Sequence, residues 1–283
     1  MRRLVVIFVL LGLACVAMGQ RKAIKFPKEK KNSVVKVKAD PKLEAAKGDV
    51  RIGPDGRPLL FGPNIELCKN RTSHGKLGKH HYFLSWREPW HKFEDWDWFN
   101  GRNFCRERCM DLISFDDPVE FKMFEEVMQQ DNISSIYTSG RKCNFKGKGC
   151  EQEQFQPINV NGWFWAGAGN ARIPPTNKRN RGTFWSHTGE LKKPQPDNYE
   201  GLKAGKLEKV SDPVGLTLED LQEWHDEACL AVLNNKYNDK IRWHDVACHF
   251  RSKIVCEDSE QLIKRALSEN PGHTIPEPVA QTD

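Results

Sequence analysis

The sequence predicts an α+β domain, disulfide-bonded, with helices first and strands after. Three observations predict it. The chain has nine cysteines and nine tryptophans in 283 residues, and all but Cys15 crowd into one block from Cys68 to Cys256. Helical periodicity is confined to the first third of that block. Short apolar runs bounded by Gly, Asn and Pro fill the rest, and that order of elements marks the α+β class. Such a cysteine and tryptophan content excludes a low-complexity disordered chain.

At the N-terminus, Arg2 and Arg3 precede the apolar run Leu4 to Cys15, and Ala17-Met18-Gly19 supplies the small residues a signal peptidase reads. Residues 1–19 are expected to be a secretory signal, cut before Gln20. The run is short for a bilayer span, so no retained membrane anchor is expected. Removal of Cys15 leaves eight cysteines, an even number suited to up to four disulfides in an oxidising compartment. No pair has CxxC spacing, which argues against structural zinc. Asn70-Arg71-Thr72 and Asn132-Ile133-Ser134 are glycosylation sequons at Asn70 and Asn132.

Residues 20–62 carry twelve Lys or Arg against five Asp or Glu, with almost no aromatics, and read as a basic flexible arm. The chain's total charge is +6. The arm holds +7 and the signal +2, so the remainder is acidic, and the basic character is local. An arm of this kind suits a solvated linker or attraction to polyanionic matrix glycans. The extracellular compartment excludes a nucleic-acid role. The domain is expected over 63–258, and 259–283, with Pro271, Pro276 and Pro278, as a flexible tail with one short helix at Glu260 to Leu267.

Within the domain a first helix is expected from Trp96 to Leu112, because Trp98, Gly101, Cys105, Cys109 and Leu112 recur three or four apart. Cys105 and Cys109 are at i,i+4, where Cβ atoms sit about 5–6 Å apart, beyond disulfide reach. Each therefore needs its own partner. A second helix starts at Asp117 as N-cap, with Pro118 in the first turn, Glu120 at capping-box spacing and a buried stripe of Phe121, Phe124 and Met128. Strands are expected at Gly162 to Ala166, Ala228 to Leu233, Ile241 to Ala247 and Lys253 to Cys256.

Taken together, these residues resemble the C-type lectin-like domain over about residues 66–258. Trp98-x-x-Gly101-x-x-x-Cys105-x-x-x-Cys109-x-x-Leu112 follows the family's first-helix spacing, though the family has glycine where Cys109 stands. Phe164-Trp165-Ala166-Gly167 is similar to its core strand. Cys229, Trp243, Asp245, Cys248 and Cys256-Glu257 are similar to its closing run. Thr138-Ser139-Gly140-Arg141 and Trp243-His244-Asp245-Val246-Ala247-Cys248 look most like secreted arthropod (insect) members. The resemblance implies Cys105–Cys256 and Cys229–Cys248 disulfides. Cys143 and Cys150 are then suited to a local closure, which leaves Cys68 with Cys109.

The resemblance also implies a site. Gln195-Pro196-Asp197 looks like the family's Gln-Pro-Asp calcium and sugar motif, with a cis proline between the two ligands. Calcium takes six to eight oxygen ligands. By resemblance the metal set is Gln195, Asp197, Glu227, His244 and Asp245, with the sugar bound by Gln195, Asp197, Tyr199, Glu227 and His244. The motif order goes with galactose in the family, and an aromatic ring at Tyr199 suits the apolar face of galactose. His244 departs from the family's asparagine, and imidazole is a poor ligand for a hard cation. It is suited instead to a sugar hydroxyl, to a pH-sensitive role or to a structural one. A long acidic segment, Gly201 to Asp226, separates the loop from Glu227; it suits a surface insertion, with a helix at Thr217 to Trp224 that walls the site as the alternative.

No catalytic motif is present, neither Gly-x-Ser-x-Gly nor His-Glu-x-x-His, and no enzyme is expected. The histidines at His80, His81, His225, His244 and His249 are scattered, and the tryptophans read as core. Two functions are expected from different classes. One is a secreted, calcium-dependent lectin for galactose-type glycans, in innate recognition or matrix. The other is a calcium-independent module for protein or cuticle-type matrix contacts.

Overall fold

The structure is a computed structural model and describes residues 59–92, 94–143, 149–175, 183–199 and 226–281. The expected signal, most of the basic arm and the alternative helix at Thr217 to Trp224 lie outside the described residues.

The chain enters through Leu59 to Phe61, which Asn103 holds by accepting the Phe61 N–H and donating to the Leu59 carbonyl. Then follow α1 (Ile65–Lys69), β1 (Thr72–Ser73), β2 (Gly75–Leu77) and β3 (His80–Leu84). The helix expected from Trp96 to Leu112 is shorter: α2 is Trp98–Glu107, with Asp97 as N-cap accepting the Asn100 N–H. Cys109 explains the early stop, because its φ of 59° is left-handed and cannot continue a helix. Glycine suits such a position best, which accounts for the residue the resemblance led one to expect there. Leu112 therefore lies in a strand, β4 (Met110–Leu112).

The second helix, α3 (Pro118–Gln130), starts as expected, with the Asp117 carboxylate accepting the Val119 N–H. Glu120 does not close a capping box. It is buried and accepts a hydrogen bond from the Tyr82 hydroxyl at 2.5 Å.

After α3 come β5 (Ser135–Lys142), a short α4 (Ile158–Asn161), β6 (Trp163–Trp165), β7 (Ala171–Arg172), β8 (Cys229–Asn234), β9 (Ile241–Val246) and β10 (Lys253–Asp258). Two strands organise the sheet. β10 pairs antiparallel with β3 and β4 and parallel with β5, so the two ends of the domain meet. β5 pairs antiparallel with β6 and β8, and β8 with β9. Helix α2 lies so close to β10 that a Cβ on Gly101 would come within 2.7 Å of Ile254.

Four disulfides form: Cys68–Cys109, Cys105–Cys256, Cys143–Cys150 and Cys229–Cys248. Cys105 and Cys109 thus staple one segment to two partners. A bridge across 151 residues, as in Cys105–Cys256, removes much freedom from the unfolded chain and typically stabilises by about 2–4 kcal/mol.

The tail is not free. Helix α5 (Glu260–Glu269) buries Leu262 and Ala266, and Ala266 packs on the Cys68–Cys109 disulfide. Residues 270–281 then return to the domain. β11 (Val279–Ala280) pairs parallel with β1, the Pro276 carbonyl accepts from Arg71, and Gln281 donates to Glu88 at 2.8 Å. These contacts are backbone and polar, so no apolar periodicity announced them.

Trp243 anchors the half of the core beneath the site. Its ring meets Phe121, Trp165, Phe184 and Trp185 at centroid distances of 5.3–6.0 Å. Burial of an aromatic ring of this size is among the largest single contributions to a core. It fixes β9, and with it the residues that follow.

Candidate functional site

The site forms where β9 meets the Gln195–Asn198 loop and the start of β8. The Ser186 N–H donates to the Trp243 carbonyl at 2.9 Å, and the Gln195 N–H donates to the Ser186 carbonyl at 2.9 Å. Ser186 thus links β9 to the loop. The Gln195–Pro196 peptide is cis.

From β9, Asp245 reaches back to the loop. Its Oδ1 accepts the Asp197 N–H at 3.2 Å and its Oδ2 the Asn198 N–H at 2.7 Å. Asn198, with a left-handed φ of 52°, accepts the Glu227 N–H on its side-chain oxygen at 2.9 Å. Lys142, only 2% exposed on its side chain, steadies the neighbouring Asp226 by donating to its carboxylate. The result is a three-carboxylate cluster. Asp197, Glu227 and Asp245 each offer an oxygen within 4.8 Å of the others.

The electrostatics follow from that crowding. Burial, and after it the Asp197 charge, push the Asp245 carboxyl up to about 7, against the opposing Asn198 hydrogen bond. Burial also raises Asp197, opposed by hydrogen bonds from the Gln195 side chain and the Tyr199 backbone. Clustered carboxylates that ionise reluctantly are relieved by a cation. The donor set is all oxygen, which suits a hard cation. The Asp197 Oδ2 atom is buried without a hydrogen-bond partner, as a ligand awaiting a metal would be. The residues present therefore fit calcium.

Of the remaining expected residues, Gln195 is buried beside Asp197, with its amide against Gly189. Tyr199 contributes a backbone N–H to the Asp197 carboxylate. His244 is the exception. It is not part of the carboxylate cluster. Its Nε2 donates to Asp239 Oδ2 at 2.7 Å, and its ring packs against Tyr237 at 5.3 Å. Burial lowers its pKa more than Asp239 raises it, which favours a neutral, structural imidazole. The sequon asparagines Asn70 and Asn132 are exposed.

Several site residues escaped the sequence. Asn198, Ser186, Gly189 and Asp239 act through contacts across strands or between loops, and only Asn198 had a local cue, as the residue following the tripeptide.

Four disulfides, a cis Gln195–Pro196 peptide and the cluster of Asp197, Glu227 and Asp245 are built on one mixed α+β framework. The fold is C-type lectin-like. No family model matches the chain, and no curated protein does. Among solved structures, a Ca2+-dependent type II antifreeze protein in its Ca2+-free form is 15% identical, covering 64% of this chain and 94% of that one, with a TM-score of 0.37. The mouse scavenger receptor C-type lectin carbohydrate-recognition domain is 15% identical, covering 65% and 91%, with a TM-score of 0.35. The Ca2+-independent C-type lectin SPL-2 from Saxidomus purpuratus is 12% identical, covering 65% and 88%, with a TM-score of 0.37. Similarity at this level leaves the C-type lectin-like fold to be read from the chain's own disulfides, strand pairing and site. Among the described residues, no helix is long and apolar enough to cross a membrane.

Proposed function

We propose that this chain is a secreted, non-catalytic carbohydrate-binding protein that holds calcium on Asp197, Glu227 and Asp245, with Gln195 beside them, and takes galactose-type glycans there. The observation that carries the reading is the convergence of those three carboxylates, Asp245 from β9, Glu227 from the segment just before β8 and Asp197 from the loop, within 4.8 Å. Bound calcium would supply coordination positions for two sugar hydroxyls. The chain's own residues orient those hydroxyls and exclude water around them. The basic arm extends the reading to polyanionic matrix as a further partner.

The test is glycan binding by the mature chain in calcium and in EDTA, with Asp197→Ala as the variant. Calcium-dependent binding to galactose-type glycans, lost in Asp197→Ala with the fold intact, supports the reading. Equal binding with and without calcium would overturn it.

One observation favours the second reading, a calcium-independent module for protein or cuticle-type matrix contacts. Asp245 already closes the loop through two backbone N–H groups, so the loop needs no cation to hold its shape. The same EDTA comparison separates the two.

A further inference from the structure

Asp239 belongs to no ligand motif, yet its carboxylate, 5% exposed, ties together two segments that form the site. It sits in the turn between β8 and β9, where Asn235, Asn238 and Lys240 all have left-handed φ. Its Oδ2 accepts both the Ser186 hydroxyl at 2.5 Å and the His244 Nε2–H at 2.7 Å. Its Oδ1 accepts the Tyr237 N–H at 3.4 Å, which folds the turn back on itself. Burial alone would raise this carboxyl, and the Ser186 and His244 hydrogen bonds outweigh it, so the group stays charged and a strong acceptor.

The bonds from Ser186 and His244 each lead to the site in one step. Ser186 receives the Gln195 N–H on its carbonyl and gives its own N–H to Trp243. His244 directly precedes Asp245, which grips the loop amides. The loop is thus held on one side by Ser186, which is bonded to the Asp239 carboxylate, and on the other by Asp245, whose chain neighbour His244 is bonded to the same carboxylate. We infer that Asp239 is a positioning residue of the calcium site, setting the spacing between the Gln195–Asn198 loop and Asp245 through Ser186 and His244. On this account His244 replaces a ligand with a brace. The inference rests on the proposed calcium site, but its structural content does not depend on an ion.

The experiment compares the mature wild-type chain with Asp239→Asn by two measurements. The first is amide hydrogen exchange in EDTA. The account expects faster exchange at Gln195, Asp197 and Asn198, with Ile136 and Tyr137 in β5 unchanged. The second is calcium titration by calorimetry, in which Asp239→Asn is expected to weaken binding about tenfold. Ser186→Ala removes one brace alone, remains available should Asp239→Asn not fold, and is expected to show the same pattern more weakly. Unchanged loop exchange, or exchange accelerated equally in β5, would overturn the inference. If wild-type protein binds no calcium, the proposed function fails while the exchange pattern still decides the role of Asp239.

Discussion

The backbone N–H of Asn198 donates to Asp245 Oδ2 at 2.7 Å, so a residue expected as a calcium ligand is also the clasp of the loop that carries the other ligands. Asp197, by contrast, offers a carboxylate oxygen that no hydrogen bond uses. The two should respond differently to truncation. Asp245→Ala strands two loop N–H groups and is expected to cost about 1–3 kcal/mol of stability even in EDTA. Asp197→Ala, which releases the Tyr199 N–H and the Gln195 side chain, is expected to abolish calcium binding at a smaller cost to stability in EDTA than Asp245→Ala. Denaturant unfolding of both variants, with and without calcium, checks this.

The pH dependence has a definite sign. The Asp245 carboxyl rises from an ordinary 3.8 to about 7 on folding. Between those values the folded chain keeps a proton that the unfolded chain has released, so stability without calcium falls as pH rises from about 4 to about 7. Glu120, pushed up to about 8 first by burial, adds a slope of the same sign that calcium does not touch. Calcium takes the deprotonated cluster, so the rise in melting temperature it causes should grow over the same window. Scanning calorimetry at about pH 5 and about pH 8 measures it, and equal calcium increments at both would count against Asp245 as a ligand.

Gly189 is a specific probe of Gln195. A Cβ there would come within 2.2 Å of the Gln195 Nε2 atom. That atom is the end of a side chain that can swing away, so Gly189→Ala should change global stability by less than about 1 kcal/mol. Gln195 would nevertheless be displaced from Asp197. Calcium affinity is expected to drop with the melting temperature in EDTA nearly constant. A large stability loss with calcium affinity retained would show that Gly189 serves the fold rather than the site.

The aromatic face for a sugar has two candidates. Tyr199 follows the tripeptide. Tyr237 packs on His244, the residue before Asp245, at 5.3 Å, and its phenol is raised by burial and then by the charges of Glu190, Glu227 and Asp197. Tyr237→Ala is expected to weaken galactose-type binding about tenfold at unchanged calcium affinity. If Tyr199→Ala produces that loss and Tyr237→Ala does not, the stacking role returns to Tyr199.

The sequence made α3 legible because Asp117 and Pro118 mark its start and Phe121, Phe124 and Met128 its face. The spacing of Cys105 and Cys109 pointed to two separate staples, although Cys109 lies past the end of α2 rather than on it. The carboxylates Asp197, Glu227 and Asp245 were legible through the resemblance. Periodicity overran the end of α2, since it cannot register the left-handed turn at Cys109. It also missed the tail, whose backbone pairs with β1 and whose anchors, Gln281 and Glu277, are polar. His244 was assigned by its place beside Asp245. Its true partner, Asp239, lies five residues back across a turn, and only the folded β8–β9 hairpin brings the two together.

Calcium titration of the mature chain, starting from EDTA-treated protein, tests the central claim most directly. The account predicts saturable binding in the range of extracellular sites, about 0.1–1 mM, with a matching rise in melting temperature. Absence of both heat and stabilisation would contradict it, and would leave the three carboxylates as a clasp for the loop rather than a seat for an ion.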